Sequence, residues 1–279
     1  MAVCDVMNYI LNYLIVAMVL FSSGAYAFEN YGSQPPPGAI PTDIITRTDL
    51  EYKLIDSPND TKTHALVARF DYAFTPDILF RADIPFLSTK PYINELDDET
   101  GIGDLFVRVG WQARHNTKFT LFFSGDIILD TATENLLGDG TYIATPLAAA
   151  AWVLPNQGAI AGFALSQSFD IGGSDRQDIN DTELHHFYVK TLPKGAWFSL
   201  DTHWYIDWKD DNQFGWFQEF QLGKMLSRNF GLTLTPGIGI IGDNHEVPDW
   251  QIKGGIRYLF CFNHKMDKSI LNCTRCHYE

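Results

Sequence analysis

Apolar and polar residues alternate along most of this chain, from about Ile44 to Phe260. A period of two is typical of β-strands, and this region lacks the 3.6-residue apolar spacing of an amphipathic helix. Turn residues divide the alternation into stretches of roughly 9–13 residues. We therefore predict twelve strands, at about 45–56, 62–74, 78–86, 103–114, 118–129, 141–154, 158–169, 183–192, 196–208, 215–226, 229–241 and 249–260.

The predicted strands are about twice the usual length in globular proteins, and they suit tilted strands that cross a bilayer. The connections also alternate in length. Those after even-numbered strands are tight turns such as Thr75-Pro76-Asp77, whereas those after odd-numbered strands are mostly longer, such as 87–102 and 130–140. Short periplasmic turns and long outer loops are typical of outer-membrane barrels, and an even strand number places both termini in the periplasm.

Each predicted strand has one apolar and one polar face. In the third strand, Phe80, Ile84 and Phe86 share one face, while Arg81 and Asp83 share the other. Periodicity alone does not say which face lies inside. Six of the seven Trp residues fall near strand ends, as the interfacial aromatic girdles of a membrane barrel require. The predicted fold is therefore an all-β, twelve-stranded, antiparallel, up-and-down transmembrane barrel with a polar lumen.

The polar face pairs well across the second and third strands. A three-residue turn at 75–77 sets Arg69 opposite Asp83 and Asp71 opposite Arg81. Opposite charges across a ladder are favourable, and a partly dry lumen tolerates them best when they are paired. The alternative is a pair of surface ion pairs worth little. The predicted lumen-lining residues are Arg69, Asp71, Arg81, Asp83, Arg108, Arg114, Asp201, His203, Asp207, Lys253 and Arg257.

The N-terminus resembles a secretory leader, which implies Sec-type export. An apolar stretch at Ile10–Phe21 is followed by the small-x-small site Ala25-Tyr26-Ala27, although the residues before it contain Asp5 and no Lys or Arg. We predict a signal peptide at 1–27, with a buried N-terminal helix as the alternative. Residues 28–44 form a Gly- and Pro-rich periplasmic lead-in, of which Phe28–Asp43 is a candidate to occlude a narrow lumen.

Composition and charge narrow the function. A net charge of −14 argues against nucleic-acid binding, and four Cys are too few for a disulfide scaffold. A mean hydropathy of −0.10 suits a barrel, because alternation averages lipid-facing and lumen-facing residues. The predicted outer loops form either a solvated rim or a divalent-cation site without EF-hand spacing. Their acidic residues are Glu95, Asp97, Asp98, Glu99, Asp130, Glu134, Asp139, Asp170, Asp175, Asp178, Asp181, Asp210, Asp211, Asp243 and Glu246.

Two motifs resemble a known family. Thr100-Gly101-Ile102-Gly103-Asp104-Leu105 opens a strand after a long loop, and Ile256-Arg257-Tyr258-Leu259-Phe260 ends the last strand. Together with the overall pattern over roughly 45–260, they resemble the outer-membrane transporters of the "MetA-pathway of phenol degradation" type. That resemblance implies a twelve-stranded barrel for small, often aromatic or hydrophobic, solutes. The expected partners are outer-membrane lipid and lipopolysaccharide, the barrel assembly machinery and a small-molecule solute.

An outer-membrane hydrolase is the competing class, and a structural or adhesive anchor is a third. A hydrolase needs a nucleophile, a base in reach and a third orienting group. None of the His residues lies in a His-x-Ser-Asn arrangement, and Asp201, His203 and Asp207 are as well explained by lumen electrostatics as by a relay. We therefore predict a channel or transporter rather than an enzyme, with no catalytic residue and no metal.

The C-terminal tail, 261–279, follows the aromatic residue at which such barrels usually end. It contains Cys273, Cys276 and His277 in the Cys-x-x-Cys-His pattern of c-type haem attachment. Only two residues follow it, which leaves no domain to bury a haem. We expect no cofactor. The alternatives for this motif are attachment of haem c, a disulfide between the cysteines, or translated sequence beyond the natural end of the barrel.

Overall fold

The computed structural model describes residues 36, 38–58, 61–91, 98–173, 178–242 and 247–260. The predicted signal peptide at 1–27 and the tail at 261–279, with its Cys-x-x-Cys-His pattern, lie outside the described residues. The strands are β1 Arg47–Ser57, β2 Thr61–Ala73, β3 Ile78–Lys90, β4 Glu99–Ile102, β5 Leu105–His115, β6 Phe119–Leu129, β7 Thr141–Leu154, β8 Ala159–Gly173, β9 Asn180–Leu192, β10 Ala196–Asp207, β11 Gln213–Met225, β12 Phe230–Ile241 and β13 Trp250–Leu259.

These strands form one closed antiparallel barrel. Apart from β4 and β5, each strand pairs with the next along the chain, and β13 pairs with β1 to close the ring. The short β4 and the longer β5 both pair with β3, at Phe86–Thr89 and Ile78–Asp83, so together they make one of twelve barrel strands. Two 3-10 helices, Asn135–Leu137 and Pro155–Gln157, lie in connections. Within the described ranges, no helix is long and apolar enough to cross a bilayer.

The predicted loop asymmetry is present with two differences. One end of the barrel carries short turns such as 116–118 and 193–195, and the other carries longer connections such as 130–140 and 242–249. The connection after β1, predicted among the longer ones, is only 58–60. The predicted loop 87–102 is partly strand, because residues 86–89 pair with 99–102 on one side and with residues 63–66 of β2 on the other.

The two faces of the sheet differ as the alternation predicts. Phe80, Ile84 and Phe86 point outward and are exposed, as are many large apolar residues on the other strands. Arg81, on the same strand, is buried on the inner face. A barrel with apolar residues outside and charges inside is inverted relative to a soluble protein, which requires lipid rather than water around it.

Residues before β1 occupy the short-turn end of the barrel interior. Ala39 is buried against Phe187, Val189 and Trp197, which face inward from β9 and β10. On another side, Gln112 Nε2 of β5 donates to the Thr42 carbonyl over 3.1 Å. The segment 38–45 thus contacts several sides of the lumen, and we call it the plug.

Candidate functional site: the barrel lumen

The inner faces of four adjacent strands carry most of the basic residues of the lumen. On β13, β1, β2 and β3, each described in full, six cationic side chains and four carboxylates point inward. We call this surface the cationic wall; its members are Arg47, Asp49, Glu51, Lys53, Arg69, Asp71, Arg81, Asp83, Lys253 and Arg257.

Guanidinium–carboxylate pairs hold the cationic wall together. Asp71 is 1% exposed and lies between two arginines, with Arg47 Nε at 2.7 Å and Arg81 Nε at 2.6 Å. Arg69 donates hydrogen bonds through Nε and Nη2 to the carboxylate of Asp83. The last two pairings, Arg69–Asp83 and Arg81–Asp71, have the register that the sequence predicts. Paired geometry of this kind compensates the cost of burying charge.

The same network joins the barrel's first and last strands to the plug. Arg257 of β13 donates hydrogen bonds through Nε and Nη2 to the carboxylate of Asp49 of β1, at 2.9 and 3.1 Å. The Gly38 carbonyl accepts hydrogen bonds from Arg47 Nη1 at 2.7 Å and from Arg257 Nη1 at 2.6 Å. The guanidinium of Arg257 also lies 5.8 Å from the ring centre of Trp197.

A second charged surface, which we call the acidic wall, lies on the inner faces of β9, β10 and β11. These three strands, also described in full, present five carboxylates and two histidines to the lumen, and no Lys or Arg. The members are Asp181, Glu183, His185, Asp201, His203, Asp207 and Glu219.

Two stacked imidazoles form the centre of the acidic wall. The rings of His185 and His203 lie 4.3 Å apart and 7° from parallel. His203 Nδ1 is 2.6 Å from Glu183 Oε1, and His185 Nε2 is 3.1 Å from Asp201 Oδ1. His203 Nε2 lies 3.6 Å from Glu219 Oε2.

The two walls meet across β12. Lys253 Nζ of β13 lies 2.5 Å from Glu219 Oε1 of β11, and Gln251 Nε2 donates to the same oxygen. Gly237 of β12 is the register partner of both Glu219 and Gln251, and a Cβ there would lie 2.5 Å from Phe217 Cζ and 3.2 Å from Gln251 Cγ. The glycine lets side chains from β11 and β13 touch across an intervening strand.

The opposite arc of the lumen is lined by small residues. Ala149 and Ala151 of β7 face Ala164 and Gly162 of β8, and Phe122 of β6 packs beside Ala149 and Ala164. This arc therefore offers an apolar surface inside an otherwise charged channel.

The acidic wall does not have the geometry of a hydrolase. Ser199 Oγ donates to Asp201 Oδ2, and Asp201 Oδ1 contacts His185, so the carboxylate lies between the hydroxyl and the imidazole. A nucleophilic serine needs the imidazole at its own hydroxyl. Among the described residues, no group of His, Cys, Asp and Glu is arranged to hold a metal ion.

Ten of the eleven residues predicted to line the lumen lie on its inner face. Arg108 pairs with Asp126 there, 2.5 Å apart. Arg114 differs, because a bulge between Gln112 and Arg114 shifts the alternation by one residue. Arg114 is exposed and pairs with Leu121 rather than with an inner-face residue. The ten are Arg69, Asp71, Arg81, Asp83, Arg108, Asp201, His203, Asp207, Lys253 and Arg257.

Four of the ten residues of the cationic wall and four of the seven residues of the acidic wall were not predicted. Alternating charges at Arg47, Asp49, Glu51 and Lys53 in β1 carried the same period-two signal as the residues that were predicted. Glu183 and Glu219 of the acidic wall were not predicted either. The partner of Arg108, Asp126, was visible only through the register of β5 with β6.

The Gly-x-Gly-Asp motif holds a loop rather than lining the lumen. Asp104 accepts backbone N–H bonds from Thr131, Ala132 and Asp139, each at 2.9 Å. A Cβ at Gly101 would collide with Thr133 Oγ1. The motif therefore folds the connection 130–140 against β4 and β5. Several acidic residues of the predicted outer loops, including Glu95, Asp97, Asp175, Asp243 and Glu246, lie outside the described residues.

The closed barrel, apolar outside and charged inside, has the architecture of outer-membrane channels. It resembles the COG4313 outer membrane channel from Pseudomonas putida F1, with a TM-score of 0.61 and 16% identity over 83% of this chain and 98% of that one. It also resembles the KdgM porin, with a TM-score of 0.55, 9% identity and coverage of 77% and 99%. For the NanC porin the TM-score is 0.55, with 9% identity and coverage of 77% and 100%.

No protein family matches this sequence, and no curated protein sequence matches it. The structural likeness therefore establishes the twelve-stranded barrel fold. The named neighbours are porins and a channel.

Proposed function

We propose that this protein is an outer-membrane channel for small organic molecules, including aromatic or hydrophobic ones. The observation that carries the proposal is the closed ring of twelve strands with an apolar exterior and a charged lumen. A soluble protein gains nothing from burying so many ion pairs while exposing its aromatic residues. The resemblance to solved channels and porins supports the same function.

The lumen chemistry favours solutes with both a polar and an apolar part. Charged residues line the two walls, while Ala149, Ala151 and Ala164 line the arc between them. The plug narrows the short-turn end, so the free passage is smaller than that of an open sixteen-stranded porin. We assign the short-turn end and both termini to the periplasm, with outer-membrane lipid and lipopolysaccharide around the barrel and the assembly machinery as its insertion partner.

Planar-bilayer recording of the purified full chain tests the channel function. Discrete conductance steps are the expected result, and uptake of benzyl alcohol into liposomes that contain the protein should exceed uptake into empty liposomes. Absence of both would refute the proposal. Hydrolysis of an ester substrate by the silent protein would favour the hydrolase alternative instead.

A further inference from the structure

A small cavity opens on the cationic wall between β1, β2, β11 and β13. Its volume is about 160 Å³, which is room for roughly five water molecules. The charged side chains that line it are Asp49, Glu51, Lys53, Arg69, Lys253 and Arg257.

The cavity exists because the residues beneath it are small. Gly255 points to the lumen between Lys253 and Arg257, opposite Thr233 of β12. A Cβ at Gly255 would lie 2.6 Å from Thr233 Oγ1, so no larger residue fits without rearrangement. A glycine at this position leaves open the space that four cationic side chains surround.

Two lysines lie directly opposite each other at this cavity. Lys53 and Lys253 are register partners across the ladder of β1 and β13, an arrangement that is unfavourable for like charges. Each has one carboxylate partner: Lys53 Nζ is 3.3 Å from Glu51, and Lys253 Nζ is 2.5 Å from Glu219. An ammonium group has three N–H donors, so each lysine retains donors for a further acceptor.

Each cation around the cavity has one carboxylate partner, but the guanidiniums and the ammoniums use their donors differently. The guanidiniums of Arg69 and Arg257 make two-point contacts with Asp83 and Asp49. Lys53 and Lys253 contact Glu51 and Glu219 through one ammonium group each. The lysine ammoniums are therefore the donors left to receive an anion.

We propose that this cavity binds the carboxylate of a small organic monoanion, which the ammonium groups of Lys53 and Lys253 share. The site rests on the proposed channel function, because it would hold the solute within the lumen during passage. Monoanions are favoured over dianions, because Asp49 and Glu51 also line the cavity and repel further negative charge. The rest of the solute extends into the lumen, where an apolar arc is available.

Binding of benzoate tests the site directly. Saturation-transfer NMR on the full chain in detergent micelles should show benzoate binding that exceeds that of benzyl alcohol, a neutral molecule with the same ring. Inorganic phosphate should compete weakly. Equal binding of benzoate and benzyl alcohol would overturn the proposal, and phosphate that competes as strongly as benzoate itself would overturn the assignment to organic carboxylates.

Three variants sharpen the test. The double variant Lys53→Met/Lys253→Met should weaken benzoate binding at least about tenfold, because charge-assisted hydrogen bonds are lost. Glu51→Gln/Lys53→Met removes an ion pair as a neutral unit and should also weaken binding. Lys62→Met is the matched control, because Lys62 is exposed on the outer face. Heat-modifiable gel mobility checks that each barrel is folded, and unchanged affinity in both folded double variants would refute the site.

Failure of the site and failure of the channel function are separable. Conductance by a protein that binds benzoate no better than benzyl alcohol would refute the site and support the channel function. Benzoate binding that depends on Lys53 and Lys253 in a protein without conductance would retain the site and remove the channel. The wild-type comparison of benzoate with benzyl alcohol decides the question even if a variant does not fold.

Discussion

The cationic and acidic walls are two different solutions to keeping charge inside a barrel. The cationic wall balances guanidiniums against carboxylates, and guanidiniums stay protonated at any pH of interest. The acidic wall sets its carboxylates against two imidazoles, a hydroxyl and an amide. The comparison teaches that one wall is held by arginine–carboxylate pairs, whereas the other holds its carboxylates with imidazoles and neutral donors.

The largest effect is expected from breaking the balance of the cationic wall at Asp71. Asp71→Asn leaves the buried guanidiniums of Arg47 and Arg81 without their shared carboxylate, which should cost about 3–5 kcal/mol. The temperature at which the refolded barrel loses its compact gel mobility should fall markedly. Asp77→Asn, in the exposed turn after β2, is the control. An unchanged transition in Asp71→Asn would mean that the network contributes little to stability.

The acidic wall should control ion selectivity more than stability. Glu183→Gln keeps the side-chain shape next to His203 but removes a negative charge. The ratio of cation to anion permeability should fall roughly twofold, because the local potential in the lumen becomes less negative. Reversal potentials under a KCl gradient measure this ratio. Asp178→Asn, an exposed residue outside the strands, should leave it unchanged.

The smallest effect is expected at Arg114, which belongs to neither wall. Arg114→Gln should leave selectivity unchanged and alter stability by less than about 0.5 kcal/mol, the usual range for surface positions. Arg108→Gln in the same strand removes the partner of Asp126 and should change both properties. If Arg114→Gln shifted the reversal potential as much as Arg108→Gln, the bulge in β5 would not turn Arg114 away from the lumen.

The alternation of apolar and polar residues predicted the strands and most of the inner face, because a period of two is a local property of the chain. It did not predict the bulge after Gln112, since one extra residue leaves little trace in composition. It also missed the extension of β3 to Lys90, where polar residues pair with β2 on one side and with β4 on the other.

The arrangement of the walls depends on information that the sequence does not carry locally. The contact of Lys253 with Glu219 requires both the register of three strands and a glycine in the middle one. The stacking of His185 on His203 likewise depends on the pairing of β9 with β10. Residue type therefore indicates a charged lumen, whereas the register decides which charges face which.

The carbonyl of Gly38, in the plug, connects the first and last strands of the barrel. It accepts from Arg257, 219 residues later, and from Arg47 at the start of the first strand. These bonds bridge the seam where β13 meets β1, the pairing with the greatest sequence separation in the barrel. Because contacts between distant residues form slowly, the seam should close late in assembly. The plug can complete its hydrogen bonds to Arg47 and Arg257 only after β13 has paired with β1. Closure of the cationic wall and narrowing of the lumen therefore become a single step.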